Sequence, residues 1–334
     1  SGIVTSGTGT IEGTRTRGPG TANGERISGK IGGLLREEVP VTAKYAFIES
    51  EEGCYPIILM CRWARVSRSG YYDWCRRGQS ATAARREVLE AEIRFAFTHS
   101  DSTYGYRRIH AQLARWGTAV DPETVRLIMR ELGLVACQPK PFRPTTTIAG
   151  DAGSLPDLLC RDFTAEAPGR KLVGDITYIR TWEGWLYLAT VLDCFSKKVL
   201  GYAMADHLRT ELVADALRMA NRNFAFTAGE TIFHSDRGVQ YLSTEFAALT
   251  EELGVRRSVG RTGICYDNAW AESFNGTLKN ERVYRTQYPT REHARKDITR
   301  YIELRYNQIR LHSAIGYRTP NEVESEWLDQ MQAA

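Results

Sequence analysis

The chain lacks several features that mark secreted, membrane or zinc-binding proteins. None of its apolar runs approaches 18 residues, so we expect no transmembrane helix. No basic stretch followed by an apolar core and a small-residue cleavage site stands near its start, so secretion is not indicated. Its seven cysteines form no Cys-x-x-Cys pair, and its six histidines do not combine with them at zinc-finger spacing. We therefore expect reduced cytosolic thiols and no zinc-finger end domain.

A strong excess of one charge is also missing, since 44 Lys and Arg residues stand against 40 Asp and Glu residues. The charge is nevertheless unevenly distributed. Residues 60–145 contain 15 basic and 8 acidic residues, a net charge of +7, whereas residues 1–59 and 146–334 have net charges of −1 and −2. A positive segment of this kind attracts phosphates. The alternative is a solvated helical surface rich in arginine.

Composition divides the chain into four parts. Residues 1–50 are of low complexity, with ten glycines in the first 33 positions, and we expect them to be disordered. Residues 55–137 have helical periodicity. Residues 138–168 contain Pro139, Pro141, Pro144, Pro156 and Pro168, which indicates an extended linker and a domain boundary. Residues 169–334 have the mixed periodicity of a second domain.

The clearest helix of the positive segment begins after Asp121, an N-cap residue followed by Pro122 at the first helical position. Together with the helix predicted at Tyr106–Trp116 and the turn at Gly117, it fits a helix-turn-helix motif. The second helix would then expose Thr124, Arg126 and Arg130, which we expect to face DNA. The alternative is a small helical bundle that only docks on the following domain.

After the linker, the periodicity changes to that of strands. We predict strands at Lys171–Arg180, Trp185–Cys194, Lys198–Ala205, Thr231–His234 and Val255–Val259, and helices at Glu211–Asn223, Thr244–Leu253, Asn268–Arg282 and Arg291–Tyr306. This order is typical of a ribonuclease-H-like α/β core with a mixed five-stranded sheet flanked by helices. Trp182 and Trp185 flank the first hairpin, and we expect them to pack on it rather than to stack on bases.

Three carboxylates stand out in this second domain. Asp175 lies within a predicted strand, Asp236 follows a strand, and Glu272 lies on a helix face opposite its apolar stripe. There are 60 residues between the first two and 35 between the second and third. Three converging carboxylates can hold two divalent cations for in-line displacement at phosphate. The alternatives are an edge-strand aspartate, a turn aspartate and a solvated surface glutamate.

The stretch from about Ala83 to Trp327 resembles the OrfB-type transposases of the insertion sequence 3 family, which are relatives of retroviral integrases. The matching runs are Tyr104-Gly-Tyr-Arg-Arg-Ile, Arg161-Asp-Phe-Thr-Ala-Glu-Ala-Pro, Gly174-Asp-Ile-Thr-Tyr-Ile, Trp182-Glu-Gly-Trp-Leu-Tyr-Leu-Ala, His234-Ser-Asp-Arg-Gly, Asp267-Asn-Ala-Trp-Ala-Glu-Ser-Phe and His312-Ser-Ala-Ile-Gly-Tyr. Carboxylates 35 residues apart are common by chance, but all these runs in this order are not.

The resemblance implies a DNA transposase with an integrase catalytic core, preceded by an all-α helix-turn-helix DNA-binding domain. Such an enzyme would cut at the terminal inverted repeats of its element and join the freed 3′-hydroxyl to target DNA. Asp175, Asp236 and Glu272 would be both the catalytic residues and the ligands of two Mg²⁺ or Mn²⁺ ions. The further DNA-binding residues would be Lys279, Asn268, Arg107 and Arg108.

The resemblance also implies a homo-oligomer on paired DNA ends, a separate helix-turn-helix protein encoded in an upstream frame, and a place on the nucleoid in the bacterial cytoplasm. Several residues keep a second interpretation. Lys279 could be a surface lysine, and Asn268 with Asp267 could cap a helix. We expect structural roles for His234 and for Asp193.

Two other functions remain open at this point. A DNA-binding regulator could retain the fold without chemistry, although the three intact acids argue against it. A ribonuclease-H-like nuclease could hydrolyse DNA without joining it, although the basic helical segment argues against that.

Overall fold

The computed structural model describes residues 39–77, 80–137, 155–260 and 269–333. These fall into two compact units, one up to Val88 and one from Leu89 onward. The disorder predicted for the first 38 residues and the linker predicted at 138–154 lie outside the described residues. Across the residues that are described, no helix combines the length and the apolar character needed to cross a membrane.

The first unit contains three short helices, α1 (Val41–Ser50), α2 (Ile57–Trp63) and α3 (Arg68–Arg77). Their shared core is built from Tyr45, Ile48, Met60 and Tyr71. The prediction that disorder extends to residue 50 is therefore wrong for Val41–Ser50, because these residues find apolar partners further along the chain.

Three further helices lie between these and the predicted linker, α4 (Ala81–His99), α5 (Tyr106–Arg115) and α6 (Pro122–Glu131). The Asp121 side chain accepts hydrogen bonds from the amides of Glu123 (2.8 Å) and Thr124 (3.3 Å), which confirms the predicted N-cap. Gly117, in the turn between α5 and α6, has a φ of +88°, a conformation that favours glycine.

The apolar faces of these helices enclose a cluster that a distant residue completes. Ile93, Ile109, Leu113 and Val125 pack together with Leu311, which lies near the other end of the chain. These helices and the C-terminal part of the chain therefore belong to one compact unit, and the domain boundary predicted within residues 138–168 stays a prediction.

A five-stranded sheet forms the centre of the second unit. Its strands are β1 (Lys171–Thr181), β2 (Gly184–Asp193), β3 (Val199–Ala205), β4 (Ile232–Ser235) and β5 (Arg256–Val259), in the spatial order β3-β2-β1-β4-β5. The first three strands are antiparallel, whereas β4 and β5 are parallel to β1. This mixed sheet confirms the predicted α/β core, and every predicted strand is present within two residues of its expected ends.

Helices cover both faces of the sheet, as the alternation of apolar residues along β1 requires. One face, with Val173 and Ile179, packs on α10 (Ala269–Glu281) and α11 (Arg291–Arg300). The other face, with Leu172, packs on α7 (Thr210–Asn223) and α9 (Thr244–Glu252). The four-residue helix α8 (Val239–Leu242) follows β4.

The C-terminal segment departs from the predicted single helix at Arg291–Tyr306. Helix α11 ends at Arg300, and Tyr301–Tyr306 form a π-helix. Two 3₁₀ turns lie at Val283–Arg285 and Ser313–Ile315, and α12 (Pro320–Ala333) ends the described chain.

Candidate active site and nucleic-acid contacts

The pairing of β1 with β4 brings the two predicted aspartates together. In the parallel register Val173 lies opposite His234, so Asp175 and Asp236 each follow a paired residue by two positions. Residues two apart on a strand project from the same face, and neighbouring strands are about 4.8 Å apart. Both aspartates therefore emerge on the face covered by α10, where β4 reaches its carboxyl end.

The local environment of Asp175 holds its carboxylate in place. One oxygen accepts a hydrogen bond from the amide of Ile176 (2.9 Å), and the other accepts one from the Nδ2 atom of Asn275 (2.7 Å). Burial, followed by the charge of Asp236, raises the pKa of Asp175 to about 7, with a smaller contribution from Glu272. The carboxylate is thus held next to like charges.

Asp236 and Glu272 belong to the same electrostatic group. Burial raises the pKa of Asp236, although the amide of Gly238 donates a hydrogen bond to it (2.9 Å) and counteracts the rise. Burial and then the charge of Asp236 raise the pKa of Glu272. Because Glu272 lies on α10 beside the buried residues Ala271 and Phe274, the packing of this helix on β1 directs it toward the aspartates.

The oxygen ligands available at this site suit a hard divalent cation, although the three carboxylates are not close enough together to coordinate one ion. Within the described ranges, no three ligating side chains are gathered tightly enough to hold an ion. Glu272 is exposed, so its side chain has room to move toward the aspartates. Two neighbouring oxygens, Asn275 Oδ1 and Thr190 Oγ1, are buried without a hydrogen-bond partner, and Thr190 lies directly opposite Asp175 on β2. Oxygen donors and carboxylates that repel one another are the surroundings that Mg²⁺ or Mn²⁺ stabilises.

Two residues of this site were not assigned a role from the sequence. The first is Asn275, which donates directly to the Asp175 carboxylate. Its position three residues after Glu272, on nearly the same helix face, was the available signal. Tyr241 is 3% exposed, and after burial the charges of Asp175 and Asp236 are the main causes that raise its pKa well above the usual value. Nothing in the sequence pattern distinguished it from a core tyrosine.

Lys279 lies between the carboxylates and an aromatic surface. Its Nζ atom is 4.9 Å from the centre of the Tyr178 ring. Burial lowers its pKa, whereas the charge of Asp175 opposes that change. This position, half-buried and close to the acids, suits a contact with a phosphate. Asn268, the other residue predicted near the site, lies outside the described residues, as does Asp267.

Two residues with predicted structural roles have them. The His234 ring, 1% exposed, lies 2.8 Å from the Ser258 hydroxyl through its Nδ1 atom. Asp193 is fully buried, and its carboxylate accepts hydrogen bonds from the Gly169 amide (3.0 Å) and from the amide and hydroxyl of Ser196 (both 2.6 Å).

The helix-turn-helix residues differ in their availability. Arg126 and Arg130 are exposed on α6, although Arg126 is paired with Glu123 through contacts of 2.8 and 2.5 Å, and Thr124 is half-buried. Arg107 is exposed and lies 5.4 Å from the centre of the Tyr106 ring.

Arg108 is the exception among the predicted DNA contacts. Its Nε atom donates to the carbonyl of Leu311 (2.9 Å), and burial lowers its pKa. The Arg108 guanidinium therefore already has a partner inside the protein, and its contact with DNA stays a prediction.

Family models match three parts of the chain. A model described as an HTH-like domain matches residues 83–142, and two models described as an integrase core domain match residues 165–265 and 253–320. The chain is 38% identical over 291 residues to the transposase InsF for insertion sequence IS3A of Escherichia coli strain K12, with 85% of this chain and 99% of the relative covered. It is 40% identical over 261 residues to an uncharacterized 31 kDa protein of insertion element IS600 from Shigella sonnei, covering 78% of this chain and 96% of the relative.

Solved structures with a similar chain path include a simian T-cell lymphotropic virus intasome bound to a PP2A regulatory subunit (17% identity, TM-score 0.41, covering 69% of this chain and 73% of that one). Another is the HTLV-2 integrase catalytic core domain in complex with magnesium (17% identity, TM-score 0.38, covering 48% of this chain and 99% of that one). The identity with InsF over nearly its whole length, together with the integrase core, establishes the family: the chain belongs to the transposases of the IS3 family of insertion sequences.

Proposed function

We propose that this transposase cuts DNA at the terminal inverted repeats of its insertion sequence and transfers the freed 3′-hydroxyl to another phosphodiester, with Asp175, Asp236 and Glu272 as its catalytic and metal-binding residues. The observation that carries the proposal is the placement of Asp175 on β1 and of Asp236 directly after the adjacent parallel strand β4, with pKa values raised by burial and, for Asp175, by the neighbouring acids. Burying like charges side by side costs stability, which favours a functional role for the pair.

The protein groups divide the work of this reaction. Asp175, Asp236 and Glu272 would hold two Mg²⁺ or Mn²⁺ ions. Bound ions of this type supply Lewis acidity to the attacking oxygen and to the leaving 3′-oxygen. Asn275 fixes the Asp175 carboxylate through its 2.7 Å hydrogen bond, and Lys279 would bind a phosphate of the strand being cut. Water would be the nucleophile of the first step and the DNA 3′-hydroxyl that of the second.

DNA outside the active site would be held by the helical part. Arg126, Arg130 and Thr124 on α6, with Arg107 on α5, would contact the inverted repeat, and Asn268 would lie close to the cut end. The catalytic reaction needs two DNA ends and a target at once, so we expect at least a dimer on paired ends. A helix-turn-helix protein from an upstream frame is a further candidate partner, and the bacterial nucleoid is the place of action.

A strand-transfer assay on labelled element ends tests the proposal. With Mg²⁺ present, we expect the intact chain to give joined products, whereas Asp236→Asn and Glu272→Gln should bind the same DNA without giving any. Glu292→Gln is a matched control, since this exposed glutamate lies on α11 and pairs there with Lys296 at 3.3 Å.

Each other outcome has a defined meaning. Joined products that survive both acid substitutions would refute the site. Hydrolysis without joining would indicate a nuclease, and DNA binding without any cleavage, with or without a partner protein, would indicate a regulator.

A further inference from the structure

A groove beside the active site carries an unusual set of exposed aromatic rings. It has a volume of about 620 Å³, and its walls come from the β1–β2 hairpin, the end of α10 and the turn that follows. The residues that matter for its chemistry are Tyr178, Arg180, Trp182, Trp185, Lys279 and Tyr284.

The rings face solvent to an extent that packing does not explain. Trp182 is 75% exposed, Tyr178 and Tyr284 are 55% and 53% exposed, and Trp185 is 46% exposed. Tryptophan is mostly buried in folded proteins, so a large open ring surface is informative. The expectation that Trp182 packs on the hairpin is therefore wrong. Trp185 does pack there, since its ring lies edge-on to the Tyr178 ring with the two ring centres 5.2 Å apart.

The hairpin that presents these rings is firmly attached. The amide of Trp182 donates to the carbonyl of Tyr288 (3.1 Å), and the Nε atom of Arg291 donates to the carbonyl of Trp185 (3.1 Å). The amide of Arg291 also donates to the Glu183 carboxylate (2.8 Å). The exposed rings thus stand on a fixed surface, which lowers the entropic cost of binding.

The positive charge of the groove favours an anionic ligand. Its described lining contains two cations, Arg180 and Lys279, and no carboxylate. Lys279 connects the groove to the catalytic acids, because its Nζ atom lies over the Tyr178 ring while the charge of Asp175 acts on its pKa. Aromatic faces next to phosphate-binding cations form the platform on which unpaired nucleotides stack.

We propose that this groove holds one or more unpaired nucleotides of the DNA strand that runs into the active site, with bases on the Trp182 and Tyr178 rings and phosphates on Arg180 and Lys279. The inference rests on the proposed function, because the strand that it places in the groove is the one whose phosphodiester the three acids would hold. Stacking on the rings would offset the cost of unpairing the end of the duplex.

Binding of short oligonucleotides to the full chain in EDTA tests this assignment without requiring any catalysis. The probes are a blunt duplex of an element end and the same duplex with a few unpaired nucleotides at the end to be cut, each labelled for fluorescence anisotropy. We expect the wild-type chain to prefer the unpaired end. Trp182→Ala should weaken binding to it by roughly 5- to 100-fold, the range for loss of one base–aromatic stack, with little change for the blunt duplex.

Two matched variants separate stacking from general apolar contact. Trp182→Phe keeps an aromatic ring and should bind nearly as the wild type does, whereas Trp182→Leu keeps apolar volume without a ring and should behave like Trp182→Ala. At 75% exposure the side chain contributes little to the core, so all three variants should fold.

The proposal is overturned if the wild-type chain shows no preference for the unpaired end, or if Trp182→Leu binds it as the wild type does. It is also overturned if Trp182→Ala changes only the oligomeric state measured by light scattering, since the surface would then pair with a second copy. If strand transfer fails while the ring-dependent preference is present, the groove assignment stands and the proposed reaction does not.

Discussion

The ion pair between Glu281 and Arg310 provides a quantitative test of how helix α10 is anchored. Glu281 is the last residue of α10, the helix that carries Glu272. The two side chains are 7% and 6% exposed, and three hydrogen bonds of 3.0, 3.0 and 2.8 Å run from the guanidinium to the carboxylate. The hydroxyl of Tyr301 donates a further hydrogen bond to Glu281 (2.8 Å).

The expected magnitude follows from this burial. Glu281→Gln keeps the size of the side chain and the acceptor for Tyr301, but it leaves the Arg310 charge buried without an opposite charge. Removing one partner of a buried ion pair costs about 3–5 kcal/mol, so the free energy of unfolding should fall by that amount. Arg310→Met should cost a similar amount, whereas the double variant removes both charges and should cost less than either single variant.

Urea unfolding at pH 7, followed by far-ultraviolet circular dichroism, measures these differences. The control is Glu123→Gln, which removes the charge from the exposed pair with Arg126 and should leave the transition unchanged. A loss below about 1 kcal/mol for Glu281→Gln, or a double variant whose cost equals the sum of the two singles, would refute the reasoning on buried charge.

The same ion pair predicts how the stability of the protein depends on pH in the acid range. Burial raises the pKa of Glu281, but the charge of Arg310 and the hydrogen bonds from Arg310 and Tyr301 outweigh it, so the pKa lies below its usual value. A depressed carboxyl pKa stabilises the fold above the pKa of the unfolded chain, and this stabilisation is lost as the pH falls through the folded value. The difference in the free energy of unfolding between the wild type and Glu281→Gln should therefore become smaller below about pH 4.

Three further predictions concern the site and the sheet. In EDTA at pH 8, Asp175→Asn should have a higher melting temperature than the wild type, and this difference should disappear toward pH 5. The reason is that a carboxyl whose pKa is raised by folding destabilises the fold as the pH rises from the pKa of the unfolded chain toward about 7. Equal melting temperatures at pH 8 would contradict this. Asn275→Ala should lower Mg²⁺ affinity in calorimetric titration by about 10–100-fold, as expected for loss of a group that orients a ligand, whereas Ser273→Ala on the exposed side of α10 should not. Gly201→Ala should destabilise the protein by about 1–3 kcal/mol, since its Cβ would overlap the backbone of α7, whereas Gly276→Ala, with open space around it, should be stabilising by about 0.5–1 kcal/mol in a thermal melt.

The sequence predicted the elements of the catalytic region well because their signals are local. Alternating apolar residues marked all five strands, and the cap at Asp121 marked the start of α6. The three acids could be selected from spacing and from the motif runs. The proximity of Asp175 and Asp236 depends on the parallel register of β1 and β4, which no local pattern contains.

The contacts that sequence patterns could not predict join residues far apart in the chain. Nothing near Arg108 indicates that the Leu311 carbonyl lies within reach of its side chain. The role of Asn275 depends on an aspartate 100 residues earlier. The last turns predicted for α11 form a π-helix at Tyr301–Tyr306, a change in hydrogen bonding that leaves little trace in apolar periodicity.

The packing of Leu311 into the helical cluster has a consequence for synthesis of the protein. Ile109 and its neighbours leave the ribosome about 200 residues before Leu311 does, because Arg108 and the Leu311 carbonyl that it contacts are 203 positions apart. At roughly 5–20 residues per second, this interval lasts about 10–40 s. Throughout that time the helices α4, α5 and α6 have an incomplete apolar core, and the Leu311 carbonyl that Arg108 contacts does not yet exist. A chain that stops before residue 311 therefore cannot complete the core of these helices.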